Sequence, residues 1–213
     1  MTIKRGALLV LEGCDRAGKS TQVQKLVTEL TARGISAEVR RFPDRTTEVG
    51  KMIDKYLSHA VELPAETVHL LFSSNRWENC TEMKKAILSG TTLIVDRYAG
   101  SGAAYTAATT GKDLSWCKEP DRGLPKPDLV ALLEVSEDVQ ASRAGWGSER
   151  FERIELQQKI SSNLHQLMDE SWVTVNGNDD IDKVHAKLLT LALSTIETVK
   201  NKPLGELYNS KPL

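Results

Sequence analysis

The fold is decided near the amino terminus, by residues 8–22, "LLVLEGCDRAGKSTQ". Residues 8–11 are all apolar, as in a short buried strand, and the apolar positions after Ser20 recur with the spacing of one helix face. The turn between them, residues 13–20, fits G-x-x-x-x-G-K-S in the strand-to-helix context of a phosphate-binding loop. The sequence therefore predicts a nucleoside triphosphate site, since such a loop directs backbone N–H groups and a helix N-terminus at phosphate.

The residues of this loop have distinct expected roles. We expect Lys19 to reach the β- and γ-phosphates and the Ser20 hydroxyl to bind Mg²⁺. The alternative, a glycine-rich turn with no ligand, is disfavoured because motif and context agree. The ATP site expected from the loop comprises Gly13, Ala17, Gly18, Lys19, Ser20 and Thr21. Phosphate wrapping needs neither Asp15 nor Arg16, so these two charges require a separate explanation.

The composition limits the classes of partner. The 213 residues are enough for one domain with a substantial core, and we expect residues 1–213 to form it. The 28 basic and 29 acidic side chains nearly cancel, so neither nucleic acid nor a membrane is expected as a partner. The three cysteines lack C-x-x-C spacing, and the four histidines have no metal-binding spacing. A soluble cytoplasmic enzyme is the expectation.

Strand-like and helix-like segments alternate along the chain. Four further strands are predicted at residues 37–42, 91–96, 127–135 and 171–176, and the clearest helical patterns cover 66–88, 150–168 and 180–199. This alternation predicts an α/β protein with a doubly wound, five-stranded parallel sheet flanked by helices. Ligands of such sheets bind at the carboxyl ends of the strands.

Charged residues follow two of the predicted strands. Arg45 lies shortly after the second strand, and Asp96 and Arg97 end the third. Asp96 is placed to hold Mg²⁺ in a phosphate-loop enzyme, although an aspartate there could instead cap the next helix. Two arginines beside a phosphate loop indicate a second anionic group. Because the chain lacks a guanine-reading N-K-x-D segment after a strand, these features favour a kinase whose acceptor is itself a phosphate.

Six segments then make the comparison specific: "LEGCDRAGKSTQ", "RFPDRTTEVGK", "HLLFSSNRWE", "LIVDRYAGSGAAY", "GLPKPDLV" and "SERFE". In this order they resemble the thymidylate kinase family in its eukaryotic and poxviral form. The resemblance implies a P-loop NTPase-like fold with a short lid at about 140–152. It also implies ATP as phosphoryl donor, dTMP as acceptor, Mg²⁺ as cofactor and a homodimer. A kinase for another nucleotide and a regulator without catalysis remain the alternatives.

The resemblance also assigns roles to single residues. It implies that Asp15 binds the sugar 3′-hydroxyl and that Arg16 reaches the transferred phosphoryl group. The catalytic set expected in this way is Arg16, Lys19, Asp96 and Arg97, with Ser20 and Asp96 at the metal. Arg143, in the lid, is implied to pack near adenine.

The acceptor site follows from the same resemblance. Arg45 and Arg97 are implied to hold the dTMP phosphate, Phe72 to stack on thymine and Arg76 to bind a base carbonyl. The residues alone favour a core position for Phe72, because aromatic side chains are often buried, and the resemblance reverses that expectation. Tyr105 is implied to crowd the sugar 2′ position. The remaining expected dTMP contacts are Phe42, Gly102, Phe151 and Gln157.

Two positions depart from the family pattern. Gly100 stands where Phe is common, which we expect to remove packing beside the acceptor. Phe151 stands where Tyr is common, which removes one hydroxyl. Neither change affects the residues expected to handle phosphate.

Overall fold

Five parallel strands organise the computed structural model, which describes residues 4–142 and 150–209. The strands are β1 (Leu8–Glu12), β2 (Ala37–Arg41), β3 (Thr92–Asp96), β4 (Leu129–Glu134) and β5 (Trp172–Asn176). They lie in the order β2-β3-β1-β4-β5. From the central strand β1 the chain crosses to the edge strand β2, returns to β3 beside β1, and then crosses to β4 and β5 on the other side. The carboxyl ends of β1, β3 and β4 border the crevice where such sheets bind ligands.

Eight α-helices connect or follow the strands in the described residues. They are α1 (Lys19–Ala32), α2 (Glu48–Leu57), α3 (Ala65–Leu88), α4 (Ala99–Thr110), α5 (Leu114–Lys118), α6 (Glu137–Ser142), α7 (Ile154–Gln166) and α8 (Ile181–Val199). A 3₁₀ turn, Glu119–Asp121, follows α5. None of the described helices is long and apolar enough to cross a bilayer.

The core lies on both faces of the sheet because successive strand residues point to opposite sides. Leu9 and Leu11 of β1 pack in one buried cluster with residues of α1 and α8. Leu8 and Val10 pack in a second cluster with Met83 and other residues of α3. All five residues of β1 and of β3 are buried, whereas the outer strands β2 and β5 are only partly so. Burial on both faces explains why the central strands are continuous apolar runs.

Residues 204–207 of the C-terminal segment are packed against the body of the protein. The backbone N–H of Leu207 donates to Leu124 O at 2.7 Å, and that of Gly123 donates to Leu207 O at 2.9 Å. Leu204 and Leu207 contact the second core cluster. This segment therefore supports the loop between the 3₁₀ turn and β4.

The predicted strands match the observed ones to within two residues at each end. The helix expected at 150–168 is shorter, because Arg150–Arg153 precede it and α7 begins at Ile154. The sheet and its flanking helices are those of the predicted α/β class.

Candidate active site

The phosphate loop connects β1 to α1 through backbone that few side chains tolerate. Gly13 has a φ of 142°, and a Cβ there would lie 2.4 Å from the carbonyl oxygen of Leu133 on β4. Gly18 is the N-cap residue directly before α1 and lies in the left-handed region, with a φ of 95°. Glycine is needed at both positions because side chains are strained or excluded there. The loop therefore wraps back over the end of the sheet.

Lys19 lies buried inside this loop. Its Nζ donates to the carbonyl oxygen of Cys14 at 2.6 Å, and the residue is 5% exposed. Burial and the positive charge of Arg97 lower the pKa of Lys19 to about 8. A bound polyphosphate would reverse this effect, since an adjacent anion favours the charged ammonium. Its ammonium form would therefore be favoured further when phosphate arrives.

Asp96 lies at the end of β3 and meets the first turn of α1. The Ser20 hydroxyl donates a short hydrogen bond to Asp96 Oδ2. The helix-cap alternative for Asp96 is wrong, because Glu12 fills that position. The Glu12 carboxylate accepts from the backbone N–H groups of Tyr98 and Ser101, both at 3.0 Å, and from the Ser101 hydroxyl. Asp96 therefore remains available beside the phosphate loop.

The two additional charges of the loop point to different neighbours. Asp15 accepts a short hydrogen bond from Arg97 Nη2 and one of 2.7 Å from Gln157 Nε2. Arg16, at a φ of 61°, pairs with Glu152 at 2.9 Å between Nη2 and Oε1. Asp15 thus joins the loop to β3 and α7, whereas Arg16 joins it to the residues just before α7.

Asp15 and Arg97 keep their charges. Burial raises the pKa of the Asp15 carboxyl, but Arg97 and Lys19 outweigh it and hold this pKa below its ordinary value. Burial lowers the pKa of Arg97, but Tyr105 and Asp15 outweigh it and hold the pKa above its usual range. Arg97 also donates to Gly13 O at 3.0 Å. The pair therefore brings a fixed cation and a fixed anion to the loop.

Two further arginines pair with aspartates. Arg76 on α3 donates to Asp121 from Nε at 3.0 Å and from Nη2 at 2.7 Å. Arg45 Nη1 lies 2.7 Å from Asp54 Oδ1, and these side chains are 37% and 48% exposed. Asn75 is fully buried beside Arg76, and its side-chain Oδ1 accepts a hydrogen bond of 2.7 Å from the backbone N–H of Asp44. This bond fixes the loop that carries Arg45.

Aromatic side chains form one wall of the site. Phe72 is half-buried and lines the cavity, so the core alternative for it is wrong. Phe151 packs edge-on against Tyr105, with ring centroids 5.6 Å apart. The Tyr105 hydroxyl is buried without a hydrogen-bond partner among the described residues. Such an atom is costly unless a ligand meets it.

One cavity of about 600 Å³ brings these groups together. Its volume lies within the range of about 300–1,000 Å³ that is common for small-molecule sites. Sixteen of the predicted residues line it: Asp15, Arg16, Ala17, Gly18, Lys19, Ser20, Thr21, Phe42, Arg45, Phe72, Arg76, Asp96, Arg97, Gly102, Tyr105 and Phe151. Gly13 and Gln157 reach the site through Arg97 and Asp15. Arg143 lies outside the described residues.

Several residues of the cavity were not predicted from the sequence. Gly177, Asp179 and Ile181 line it from the loop that follows β5, where the strand-end rule could have located them. Tyr56 lines it from α2, which no periodic signal predicted. Glu152, which resembles a solvated lid residue in sequence, has a side chain only 9% exposed against Arg16.

The expectation for Gly100 needs correction. Gly100 lies on α4, and a Cβ there would be 2.9 Å from Trp172 Cη2 and 3.0 Å from Glu12 Oε1. It is not among the residues that line the 600 Å³ cavity. Trp172 occupies the space beside it, so a phenylalanine at this position would displace Trp172 rather than pack beside the acceptor.

Comparison with known proteins identifies the family. Residues 11–188 match the family model for thymidylate kinase. This chain belongs to the thymidylate kinase family. It is 47% identical over 211 residues to the thymidylate kinase of Homo sapiens, covering 98% of this chain and 100% of that one. The Arabidopsis thaliana thymidylate kinase is 47% identical over 207 residues, with 97% and 78% covered.

The fold agrees with this assignment. The solved thymidylate kinase of Candida albicans superimposes with a TM-score of 0.86 at 34% identity, covering 95% of this chain and 98% of that one. The chain therefore has the P-loop NTPase-like α/β fold of thymidylate kinases. It is a nucleoside monophosphate kinase that phosphorylates dTMP to dTDP, with ATP as donor.

Proposed function

We propose that the residues around the 600 Å³ cavity divide into a donor half and an acceptor half, with Arg97 and Asp15 between them. The observation that carries the proposal is the meeting of the phosphate loop, five arginines and the aromatic wall in this one cavity. One nucleotide-kinase domain, residues 1–213, would contain the whole reaction.

In the donor half, the chain binds triphosphate with backbone and side chains of residues 13–21. Loop N–H groups and the N-terminus of α1 favour the phosphate oxygens electrostatically. Lys19 neutralises the β- and γ-phosphates, and Arg16 supplies positive charge to the transferred group. The loop after β5 would border the adenine side, where the family resemblance also implies a role for Arg143.

The donor set also suits Mg²⁺. Ser20 and Asp96 present a hydroxyl and a carboxylate oxygen in direct contact, and Mg²⁺ prefers oxygen ligands. The described residues hold no group of three His, Cys, Asp or Glu side chains that could form a metal cage. This fits an ion held by one or two protein groups plus substrate phosphates. When bound, Mg²⁺ neutralises developing phosphate charge.

In the acceptor half, side chains hold dTMP at three places. Arg45 and Arg97 bind its phosphate, a role suited to planar guanidinium donors. Asp15, Tyr105, Gln157, Phe151 and Gly102 surround the sugar. Phe72 and Phe42 enclose the base, and Arg76 donates to a base carbonyl. Because the acceptor phosphate is already anionic at neutral pH, catalysis needs positioning and charge neutralisation and no strong general base.

A panel of acceptors tests the substrate assignment. ADP release coupled to NADH oxidation is measured with dTMP, dUMP, UMP, CMP, AMP and thymidine. We expect the highest kcat/KM with dTMP and a requirement for Mg²⁺. Preference for another acceptor would overturn the assignment, and no turnover with any acceptor would favour a regulator.

The Asp96→Asn variant tests the metal role. It keeps size and removes charge, so kcat should fall by on the order of 10² while the dTMP Kd changes by less than about threefold. Elevated Mg²⁺ should recover part of the loss. An unchanged kcat would assign Asp96 a structural role.

We also propose a cytoplasmic homodimer. Exposed Leu70 and Trp77 lie seven residues apart on α3, and exposed Met52 lies on α2. Apolar groups exposed in this way support an interface. The three free cysteines suit a reducing compartment. Light scattering of the purified chain and fractionation of cells test the two statements.

A further inference from the structure

We infer that Asp121 is a positioning residue that makes Arg76 a donor of fixed direction and so makes the pocket select a carbonyl over an amino group on the acceptor base. The inference deepens the proposed function and rests on it, since Arg76 is the residue proposed to meet the base. It assigns to Asp121 a role in specificity rather than in phosphoryl transfer.

The pair is buried more deeply than any other charge pair described in the cavity. The side chains of Arg76 and Asp121 are 2% and 0% exposed. The two hydrogen bonds from Nε and Nη2 to the two carboxylate oxygens form a fork that fixes the plane of the guanidinium. Because both side chains are buried, bulk solvent competes little for these two hydrogen bonds.

Asp121 is itself held by α3. The Ser73 hydroxyl lies 2.7 Å from Asp121 Oδ1, and Trp77 Nε1 donates to the carbonyl oxygen of Pro120 at 2.7 Å. Ser73, Arg76 and Trp77 stand at i, i+3 and i+4, so they share one face of the helix. Helix α3 therefore holds the Asp121 carboxylate in place and also carries Arg76, the arginine that this carboxylate orients.

The opposite side of the guanidinium is closed by α4. A Cβ on Gly102 would lie 2.6 Å from Arg76 Nη2 and 3.0 Å from Nη1. Arg76 is thus confined between Asp121 and the α4 backbone. Only Nη1 has no hydrogen-bond acceptor among the described residues, and Arg76 lines the cavity. Nη1 is therefore the nitrogen left to meet a ligand.

This arrangement selects the acceptor base by the hydrogen-bonding group that the base presents to Arg76. An arginine nitrogen can donate but cannot accept, so a fixed Nη1 fits a ring carbonyl and opposes a ring amino group. The charge of Asp121 also neutralises Arg76, which suits it to a neutral base rather than to a phosphate. A site built to hydrogen-bond one group rejects the analogue strongly, because its buried polar atoms are left unpaired. If Arg76 could turn, this rejection would weaken.

The test compares dTMP with 5-methyl-dCMP, which replaces the carbonyl at C4 with an amino group. Calorimetry gives the Kd of each monophosphate for the wild type and for Asp121→Asn. We expect Asp121→Asn to weaken dTMP binding by at least about tenfold and to reduce the preference for dTMP by a similar factor. The kcat at saturating dTMP should stay within about threefold, because the phosphate-handling residues are unchanged.

Three further variants make the result interpretable. Ser73→Ala removes one donor to Asp121 and should give an intermediate loss of preference. Arg76→Met with Asp121→Leu replaces the buried pair by apolar groups, which maintains folding, and should bind dTMP as weakly as Arg76→Met alone. Asp128→Asn is the matched control. It breaks the forked Arg5–Asp128 pair, with bonds of 2.8 Å, away from the cavity, and should change stability but neither Kd.

The possible outcomes distinguish a failure of the Asp121 inference from a failure of the proposed function. If Arg76→Met weakens dTMP binding and folded Asp121→Asn does not, Asp121 does not position Arg76, although the proposed function stands. If kcat falls as much as affinity, or if Asp121→Asn adds to Arg76→Met, the inference is overturned. If the wild type does not phosphorylate dTMP, the proposed function fails first.

Discussion

Two arginines that line the cavity, Arg76 and Arg45, each pair with an aspartate at the same N–O distance, but the two pairs differ in burial. Arg76–Asp121 and Arg45–Asp54 both measure 2.7 Å. The first pair is 2% and 0% exposed, and the second is 37% and 48% exposed. Distance alone therefore does not describe an ion pair. Exposure decides whether the arginine keeps its carboxylate or exchanges it for a ligand.

The difference matches what each arginine is proposed to bind. An exposed pair is worth little, so Arg45 can leave Asp54 for a phosphate at small cost. A buried pair resists removal of either partner, because the remaining charge is left without solvent. Arg76 therefore keeps Asp121 while it meets a base.

The largest expected effect separates the two pairs by stability. Asp121→Asn should lower the free energy of unfolding by about 3–5 kcal/mol, the cost of breaking a buried pair. Asp54→Asn should lower it by less than about 1 kcal/mol. Urea unfolding followed by circular dichroism measures both values. Similar losses in the two variants would contradict the comparison.

The next effect extends the comparison to Arg16 and Arg150, each of which pairs with a glutamate. Arg16 is in the phosphate loop, whereas Arg150 donates to Tyr56 O at 3.0 Å and to Glu62 Oε1 at 2.6 Å. Arg16→Gly should lower kcat by on the order of 10²–10³, as for a lost preorganised donor, with smaller changes in the affinities for ATP and dTMP. Arg150→Ala should lower kcat less, because this arginine is anchored to the α2 side.

Steady-state and single-turnover kinetics of both variants decide this point. Glycine suits position 16 because the backbone there has a φ of 61°. The loop conformation should therefore survive the substitution. If Arg150→Ala is the slower enzyme, the catalytic arginine has been assigned to the wrong segment.

A pH effect should arise next to the buried pair. His69 Nδ1 lies 2.8 Å from the Thr106 hydroxyl, and Nε2 is buried without a described partner. Burial, and then the charge of Arg76, lower the pKa of His69 below its ordinary value of 6.5. As the pH falls below 6.5, the unfolded chain binds a proton that the folded chain does not, so stability is lost.

His69→Gln should remove this dependence. The variant should lose less stability than the wild type between about pH 7 and pH 5, because glutamine does not titrate. Urea midpoints at pH 8 give the packing effect of the substitution alone, since His69 is neutral there in both states. Parallel curves for the two proteins down to pH 5 would show that His69 does not contribute.

The smallest expected effect concerns the aromatic wall. Phe151→Tyr restores the hydroxyl common in the family, and its ring already packs 5.6 Å from Tyr105 and 6.3 Å from Tyr56. One added hydrogen bond is worth about 0.5–1.5 kcal/mol, so the dTMP KM should fall by no more than about tenfold. Steady-state kinetics with dTMP as the varied substrate measures this KM. A large change in kcat would mean that this position affects chemistry as well as binding.

The fold and the candidate site could be predicted from the sequence where the signal lies within one element. The strands, the phosphate loop and the Phe72–Arg76 helix each follow from spacing within one element. Hydrogen-bond partners that are distant in the chain could not be predicted. Glu12 contacts Tyr98 across 86 positions, and Asp121 contacts Arg76 across 45. Nothing near Glu12 or Asp121 marks them as partners, because pairing between elements depends on the order of the strands and the packing of helices.

The docking of residues 204–207 on the loop that follows Asp121 bears on how the protein is made. Chains are synthesised from the amino terminus, and domains begin to fold during synthesis. The phosphate loop, β3 and α3 emerge first and can pair with one another. The loop around residues 123–126 receives its backbone partners only when Gly205 and Leu207 have been added. The part of the protein beside Arg76 and Asp121 can therefore be completed only after residues 204–207 have been synthesised, later than the phosphate loop.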